Sequence, residues 1–180
     1  YTGEPPLRQD GSYDAWVLGL HPNGTEAWNR SYGDRGFEQL RALVATPGGG
    51  YYVVAGVENT STDAASEDPW IVRVDGNGSV AWTRRFRSGV DEAFHGATLD
   101  GAGGLRLVGE TVATEPDGAE HGQGWIVHLA GNGTVLDERT VGTYTERYGE
   151  DDAFYGIERT AEGYLVTGST SSYTPKAFDA

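Results

Sequence analysis

The chain of 180 residues contains no cysteine and no methionine, and Lys176 is its only lysine. Without cysteine the chain has no disulfide, no thiolate nucleophile and no cysteine-based metal site. Thirteen basic residues stand against 27 acidic ones, for a formal net charge of −14. Such a surface repels nucleic-acid phosphates and anionic membranes, so we expect neither as a partner. We also expect no membrane insertion, because no run approaches the roughly 18 apolar residues of a transmembrane helix.

The excess of acidic residues and the scarcity of lysine are together typical of proteins from salt-loving organisms. At molar salt the Debye length falls to about 3 Å, so like charges stop repelling one another beyond contact distance. Carboxylates also hold water and cations, whereas lysine stems would add apolar surface. The alternative interpretation is an acidic secreted protein that works at ordinary ionic strength.

One sequence unit occurs three times along the chain. Segments 14–20, 68–74 and 124–129 share a tryptophan followed by an apolar run, and the tryptophans are 54 and 55 residues apart. Each segment runs into an Asn-Gly pair, which predicts a type I′ hairpin turn. Glycine-rich stretches at 47–50, 101–104 and 161–163 predict a second hairpin in each unit. Four antiparallel strands in about 54 residues indicate a propeller blade.

We therefore predict an all-β fold, a β-propeller with three four-stranded repeats in a single domain or propeller segment, 1–180. The repeats cover approximately 14–67, 68–122 and 123–180. The 28 glycines and the 37% apolar content agree with a turn-rich β-protein. An immunoglobulin-like sandwich would not repeat one four-strand signature three times.

The stretch from Arg73 to Trp82 resembles the tryptophan-docking motif of quinoprotein-type (PQQ-like) β-propellers. In that family a glycine turn precedes by four residues a tryptophan that wedges between neighbouring blades. Gly24 and Trp28 have the same spacing, whereas the third copy has Asp137 in place of the tryptophan. The pattern also resembles propeller repeats in secreted surface proteins of salt-loving archaea and many bacteria. The motif is specific for fold and carries little information on function.

The resemblance implies an order for the strands. The innermost strands would be about 37–46, 92–100 and 152–160. The chain then contains two complete blades and one blade split between its two ends, which leaves strand edges open. Three interpretations follow: a segment of a longer closed propeller, ends that pair with other copies in a ring or filament, or a three-bladed ring closed within one chain. The third is smaller than the four to eight blades usual for propellers.

Acidic residues recur at the start of the innermost strands and are candidate ligands of Ca²⁺ or another hard cation. The alternative is that each carboxylate caps a turn by accepting backbone N–H bonds. The candidates are Glu38, Glu92, Asp152, Asp91 and Asp151. No other cofactor is expected.

Five Asn-x-Ser/Thr sequons are candidate N-glycosylation sites. Three of them coincide with the hairpin turns, so turn chemistry alone explains those asparagines, whereas Asn59 has no such explanation. The five are Asn59, Asn23, Asn29, Asn77 and Asn132.

Aromatic and arginine side chains also follow the repeat. The strict period of the tryptophans predicts packing at blade contacts: Trp16, Trp28, Trp70, Trp82 and Trp125. The arginines in register form either an anion-binding ring or stems packed along the tryptophans: Arg30, Arg84 and Arg139. Aromatic residues that break the period are the better candidates for stacking on sugars: Tyr144, Tyr148 and Tyr173.

The sequence contains few signals of catalytic chemistry. His95 would line the central channel, where Arg41 and Tyr155 take the equivalent positions, and this variation argues against a shared catalytic centre. We find no nucleophile elbow and no phosphate-binding loop, so an enzyme is not expected. The first hypothesis is a non-catalytic extracellular or cell-surface propeller with a structural or adhesive role, whose partners are other copies or flanking blades. The alternatives are a glycan- or peptide-binding propeller and a degenerate quinoprotein dehydrogenase fragment.

Overall fold

The computed structural model describes residues 13–33, 36–59, 66–116, 118–142 and 151–171. These residues form twelve β-strands and no helix, which confirms the predicted all-β class. Accordingly, the described part of the chain has no apolar helix of membrane-spanning length.

The strands alternate with short turns along the whole described chain. In order they are β1 (Ala15–Leu20), β2 (Glu26–Tyr32), β3 (Phe37–Ala45), β4 (Tyr51–Asn59), β5 (Ser66–Val74), β6 (Val80–Arg85), β7 (Glu92–Leu99), β8 (Leu105–Thr114), β9 (Glu120–Leu129), β10 (Val135–Val141), β11 (Asp152–Arg159) and β12 (Tyr164–Thr170).

The strands form four antiparallel sheets. Sheet 1 is β1-β2, sheet 2 is β3-β4-β5-β6, sheet 3 is β7-β8-β9-β10 and sheet 4 is β11-β12. The grouping of two, four, four and two strands is the order expected from the repeats. Strand β7 contacts β3 on one side and β11 on the other. The first strands of sheets 2, 3 and 4 are therefore neighbours in space.

The Asn-Gly hairpins differ from the sequence prediction. A type I′ turn requires positive φ at both central residues, but no described residue other than glycine has positive φ. In the first hairpin the Gly24 N–H donates to the His21 carbonyl at 2.8 Å, and Gly24 has a φ of 81°. A four-residue turn with a left-handed glycine at its end is the three-residue hairpin loop with a G1 bulge. Asparagine is present because its side chain accepts the N–H of Thr25 at 3.0 Å.

Successive sheets pack face to face through two apolar clusters. Between sheets 1 and 2, Val17 lies in one cluster with Val72 and Val74. Between sheets 2 and 3, Phe86 packs edge-on against Trp125 with ring centroids 5.4 Å apart. Burial of this apolar area at about 25 cal/mol per Å² is the main favourable contribution to packing of the sheets.

Candidate functional site

The first strands of sheets 2, 3 and 4 each contain a β-bulge at the same place. The register of the strand pairs shifts at Arg41, His95 and Tyr155, the positions that the sequence predicted to line a channel. Bulges redirect a side chain and are frequent beside functional sites. The structure places the His95 and Tyr155 rings 5.2 Å apart. These three residues are the inner-strand row.

Each residue of the inner-strand row has a different polar partner. The Arg41 guanidinium forms an ion pair with Glu67, at 2.5 Å between Nη2 and Oε2. The His95 imidazole lies 3.2 Å from a Glu110 carboxylate oxygen. Tyr155 is 54% exposed, and its phenol oxygen accepts a hydrogen bond from the Ser169 hydroxyl at 3.4 Å. The row therefore presents three unlike hydrogen-bonding groups.

The acidic candidates at the starts of β3, β7 and β11 are largely removed from solvent. Glu38, Glu92 and Asp152 are each 7% exposed. Among the described residues, no three acids or histidines come together in a group that could hold a metal ion. The sequence placed these acids at equivalent positions, and in the structure they lie at or next to the first residues of β3, β7 and β11, in three different sheets.

Burial raises the pKa of the Glu92 carboxyl above its ordinary value. Hydrogen bonds from Ser88 and from the Thr111 hydroxyl, at 3.3 Å, oppose this increase, and the negative charges of Glu138 and Asp68 add to it. Ionisation of Glu92 therefore opposes folding.

Asp91 and Asp151 connect neighbouring sheets. The Asp91 carboxylate accepts the backbone N–H of Glu67 at 2.8 Å, and Asp151 accepts that of Gly122 at the same distance. Both bonds run from the start of an inner strand to the preceding sheet. The sequence analysis offered backbone capping as the alternative to metal binding. It predicted correctly that these carboxylates accept backbone N–H bonds, but it expected the donors in a local turn and not in the preceding sheet.

The tryptophans predicted to pack at blade contacts occupy four environments. Trp28 and Trp82 lie over the hairpin turn of the following sheet, and the Trp82 indole donates to the Gly131 carbonyl at 2.9 Å. Trp125 is buried and stacks on Phe94 at 4.3 Å. Trp16 is 53% exposed and donates to the Asn29 side chain. Trp70 lines a pocket described below.

Two of the three arginines in register lie beside the same turns. Arg84 donates to the Gly133 carbonyl at 3.1 Å, and its guanidinium lies 5.1 Å from the centre of the Phe86 ring. The Arg30 stem approaches Gly78, whereas Arg139 is exposed on β10. The contacts of Arg30 and Arg84 thus agree with side-chain stems packed along the tryptophans.

Three sequon asparagines stabilise the hairpin turns in which they lie. The side chains of Asn23, Asn77 and Asn132 each accept the N–H of the residue two positions later at 2.9–3.0 Å. Asn29 accepts the Trp16 indole N–H at 2.7 Å. The side chain of Asn59 lies outside the described residues, as do Tyr144, Tyr148 and Tyr173.

Sequence reasoning missed a pocket of about 220 Å³ at the junction of sheets 1 and 2. Trp70, Arg85 and Arg87 form part of its wall, together with the buried Glu38. The Asp68 carboxylate lies 3.9 Å and 3.8 Å from the Nε atoms of the two arginines. The only sequence signal was the basic run 84–87 in an acidic chain.

A second missed feature is the hydrogen bond between His128 and Asp100, whose atoms Nε2 and Oδ2 are 2.9 Å apart. Asp100 also accepts the N–H groups of Ala102 and Gly104, at 2.7 Å and 2.8 Å. Burial favours the neutral carboxyl, but the hydrogen bonds from His128 and the two backbone groups outweigh it and lower the Asp100 pKa. This carboxylate fixes the turn between β7 and β8.

No family model matches the chain, and no curated protein matches it either.

Proposed function

We propose that this chain is a non-catalytic β-propeller module with a structural or adhesive role at the outside of a cell. The observation that carries the proposal is the strand arrangement. Two four-stranded sheets lie between two two-stranded sheets, and within the described residues β1 and β12 each pair on one side only. Open strand edges pair readily with further strands, so the arrangement suits completion into a closed ring.

Two further features support a radial arrangement of sheets. The inner strands β3, β7 and β11 are neighbours in chain order, as the innermost strands of successive blades are. The contact of a tryptophan with the turn of the following sheet also recurs, at Gly78 for Trp28 and at Gly133 for Trp82. A repeated contact of one kind between successive sheets is what radial repetition produces.

A structural role agrees with the chemistry of the inner-strand row. Its arginine, histidine and tyrosine differ in charge and in hydrogen-bonding capacity, whereas a shared active site would need one set of groups aimed at one reacting atom.

Negative-stain images of the chain in molar NaCl test this proposal. We expect ring-shaped particles with a central channel. A sample that is folded by circular dichroism but shows only solid particles, without a channel or a curved row of blades, would contradict the propeller architecture.

A second candidate function is binding of a glycan or peptide, which the pocket at the junction of sheets 1 and 2 favours. Trp70 offers an apolar ring for stacking, and Arg85 and Arg87 offer donors for a carboxylate or hydroxyl. A glycan array would identify the ligand. We then expect Arg87→Ala to weaken binding at least tenfold, whereas Arg159→Ala, an exposed arginine outside the pocket wall, would not. Equal effects of the two substitutions would remove this candidate.

A further inference from the structure

Strand β1 has one bare apolar face. By the repeat period Leu18 corresponds to Val72 in β5 and to Val127 in β9. Both valines are fully buried, whereas Leu18 is 41% exposed. Leu20, the next residue on that face, is 56% exposed. In sheets 2 and 3 the preceding sheet covers this face, and in sheet 1 no described residue covers it.

Sheets 1 and 4 each hold part of an aromatic stack that is complete in sheet 3. There Phe94, Gly109 and Trp125 face one another across β7, β8 and β9, and the two rings stack with centroids 4.3 Å apart and an interplanar angle of 13°. A glycine between aromatic neighbours lets the rings meet across the strand.

In sheet 4, Phe154 faces Gly168 in the same register, but within the described residues no third strand pairs with β12. The residue equivalent to Trp125 is Trp16, which is 53% exposed on β1. Addition of β1 to the edge of β12 would therefore complete a four-stranded sheet and the stack.

The hairpin turn of sheet 1 is also open. A Cβ built on Gly78 would lie 3.0 Å from Trp28, and one built on Gly133 would lie 3.1 Å from Trp82. A Cβ built on Gly24 meets no atom within 4 Å, although the φ values of the three glycines differ by only a few degrees. The Gly24 turn has the shape of the other two and no sheet packed on it.

Strand β10 has the matching uncovered end. Val141 is equivalent to Tyr32 and Phe86, which are 7% and 9% exposed because each packs on the following sheet. Val141 is 46% exposed. At β10, the face of sheet 3 that carries Val141 thus lacks a packed neighbour. A copy of sheet 1 would supply that neighbour.

The number of copies follows from the number of strands. The twelve strands of the described residues amount to three four-stranded blades, and closed propellers have about four to eight blades. A ring built only from copies of this chain therefore needs two of them, because one copy supplies too few blades and three copies supply too many. Closed assemblies of identical chains are most often twofold symmetric.

We propose, on the basis of the proposed function, that two copies of this chain close into one six-bladed ring, in which β12 of each copy pairs with β1 of the other. The aromatic stack of each completed sheet then joins Phe154 of one copy to Trp16 of its partner. The apolar face of β1 is covered by the outer face of the partner's sheet 3. Because two chains of formal charge −14 come together, the assembly is expected to strengthen with salt.

The strand register predicts which residues face each other. Val53 faces Val72 in sheet 2, and Leu107 faces Val127 in sheet 3. By the repeat period, the equivalent pair at the junction is Val166 in β12 of one copy and Leu18 in β1 of the other.

The first test measures mass by light scattering in molar NaCl. Wild type is expected at twice the 19.3 kDa of one chain, and Leu18→Asp at the mass of one chain, because a carboxylate would be buried at the junction. Leu136→Asp is the matched control: Leu136 is 57% exposed, and its equivalents Ala27 and Ala81 stay exposed between packed sheets. Circular dichroism verifies that both variants fold. A wild-type monomer throughout, or equal loss of the dimer in both variants, would overturn the proposal.

The second test uses the absence of native cysteine. The double variant Leu18→Cys, Val166→Cys is expected to give a covalent dimer on a non-reducing gel, since facing residues of antiparallel strands lie within disulfide range. Leu18→Cys combined with Leu165→Cys, one residue out of register, is expected not to cross-link. A cross-linked monomer would mean closure within one chain, and a ladder of higher species would mean a filament. Either result overturns the two-copy ring.

The outcomes separate this inference from the proposed function. Ring-shaped particles whose mass differs from that of two chains would overturn the two-copy inference and leave the propeller module standing. A dimer that shows neither a channel nor a curved row of blades would contradict both.

Discussion

At the scale of single residues, Glu92 shows how the packing of sheets sets ionisation. Its carboxyl is 7% exposed, and burial is the largest cause of its raised pKa. For an acid whose pKa is higher in the folded than in the unfolded chain, ionisation costs stability above the folded pKa. Protonation removes this cost as the pH falls.

We expect Glu92→Gln to raise the free energy of unfolding at pH 7, by under about 1 kcal/mol because solvent still screens part of the charge. The amide oxygen keeps the acceptor for Thr111. The gain should shrink as the pH falls through the raised pKa and vanish below the ordinary value of 4.5. Urea unfolding at pH 7 and at pH 4 measures the difference. Glu162→Gln, at an exposed turn, is the control, and a less stable Glu92→Gln at pH 7 would contradict the expectation.

At the scale of elements, the hairpin between the last two strands of each four-stranded sheet is both a turn and a docking surface. Its glycine has the left-handed conformation, and in sheets 2 and 3 its outer side carries a tryptophan of the preceding sheet. The same hairpin in sheet 1 carries none. The same turn sequence therefore occurs with and without a packed tryptophan. Comparing the two cases separates the contribution of the left-handed glycine to stability from that of the tryptophan contact.

We expect Gly24→Ala to cost about 1–2 kcal/mol, since only the left-handed backbone is strained. Gly133→Ala is expected to cost about 1 kcal/mol more, because its Cβ would press on Trp82 at 3.1 Å. Denaturant unfolding of the two variants and wild type gives both values. Equal losses would mean that the tryptophan contact contributes nothing measurable.

At the scale of the whole molecule, charge opposes compaction. Twenty-seven acidic side chains in 180 residues repel one another over the Debye length, which is about 10 Å at 0.1 M salt and about 3 Å at 1 M. Local pairs such as Arg41 with Glu67 relieve only part of this repulsion.

The melting temperature is therefore expected to rise steadily between 0.1 M and 1 M NaCl, by several degrees for a gain of about 1 kcal/mol. KCl at equal concentration serves as the control, because screening depends on ionic strength and should give the same increase. A melting temperature that does not change with salt would contradict adaptation to high salt.

Much of the fold could be predicted because every hairpin is local. The predicted inner strands 37–46, 92–100 and 152–160 end within one residue of β3, β7 and β11. The turn type was wrong, because Asn-Gly is compatible with two hairpin loops and the choice between them depends on the bulge that follows.

The candidate site could be predicted only in part. The equivalence of Arg41, His95 and Tyr155 followed from the repeat, but their partners did not. Arg41 reaches Glu67 on a strand two places away in the sheet, a contact without a local signal. The pocket near Trp70 draws its wall from all four strands of sheet 2 and from Gly33, which follows β2, so periodicity within one repeat could not reveal it.

The sequence by itself determined the all-β class, the number of strands and their grouping, because turn chemistry and alternating apolar residues act over a few neighbours. Tertiary structure decided which copy of each motif is buried. Trp125 is 2% exposed and Trp16 is 53% exposed, although both follow the same local pattern. The physical reason is that burial depends on the sheet packed against a strand, and that neighbour comes from a different part of the chain or, as we propose for Trp16, from a second copy.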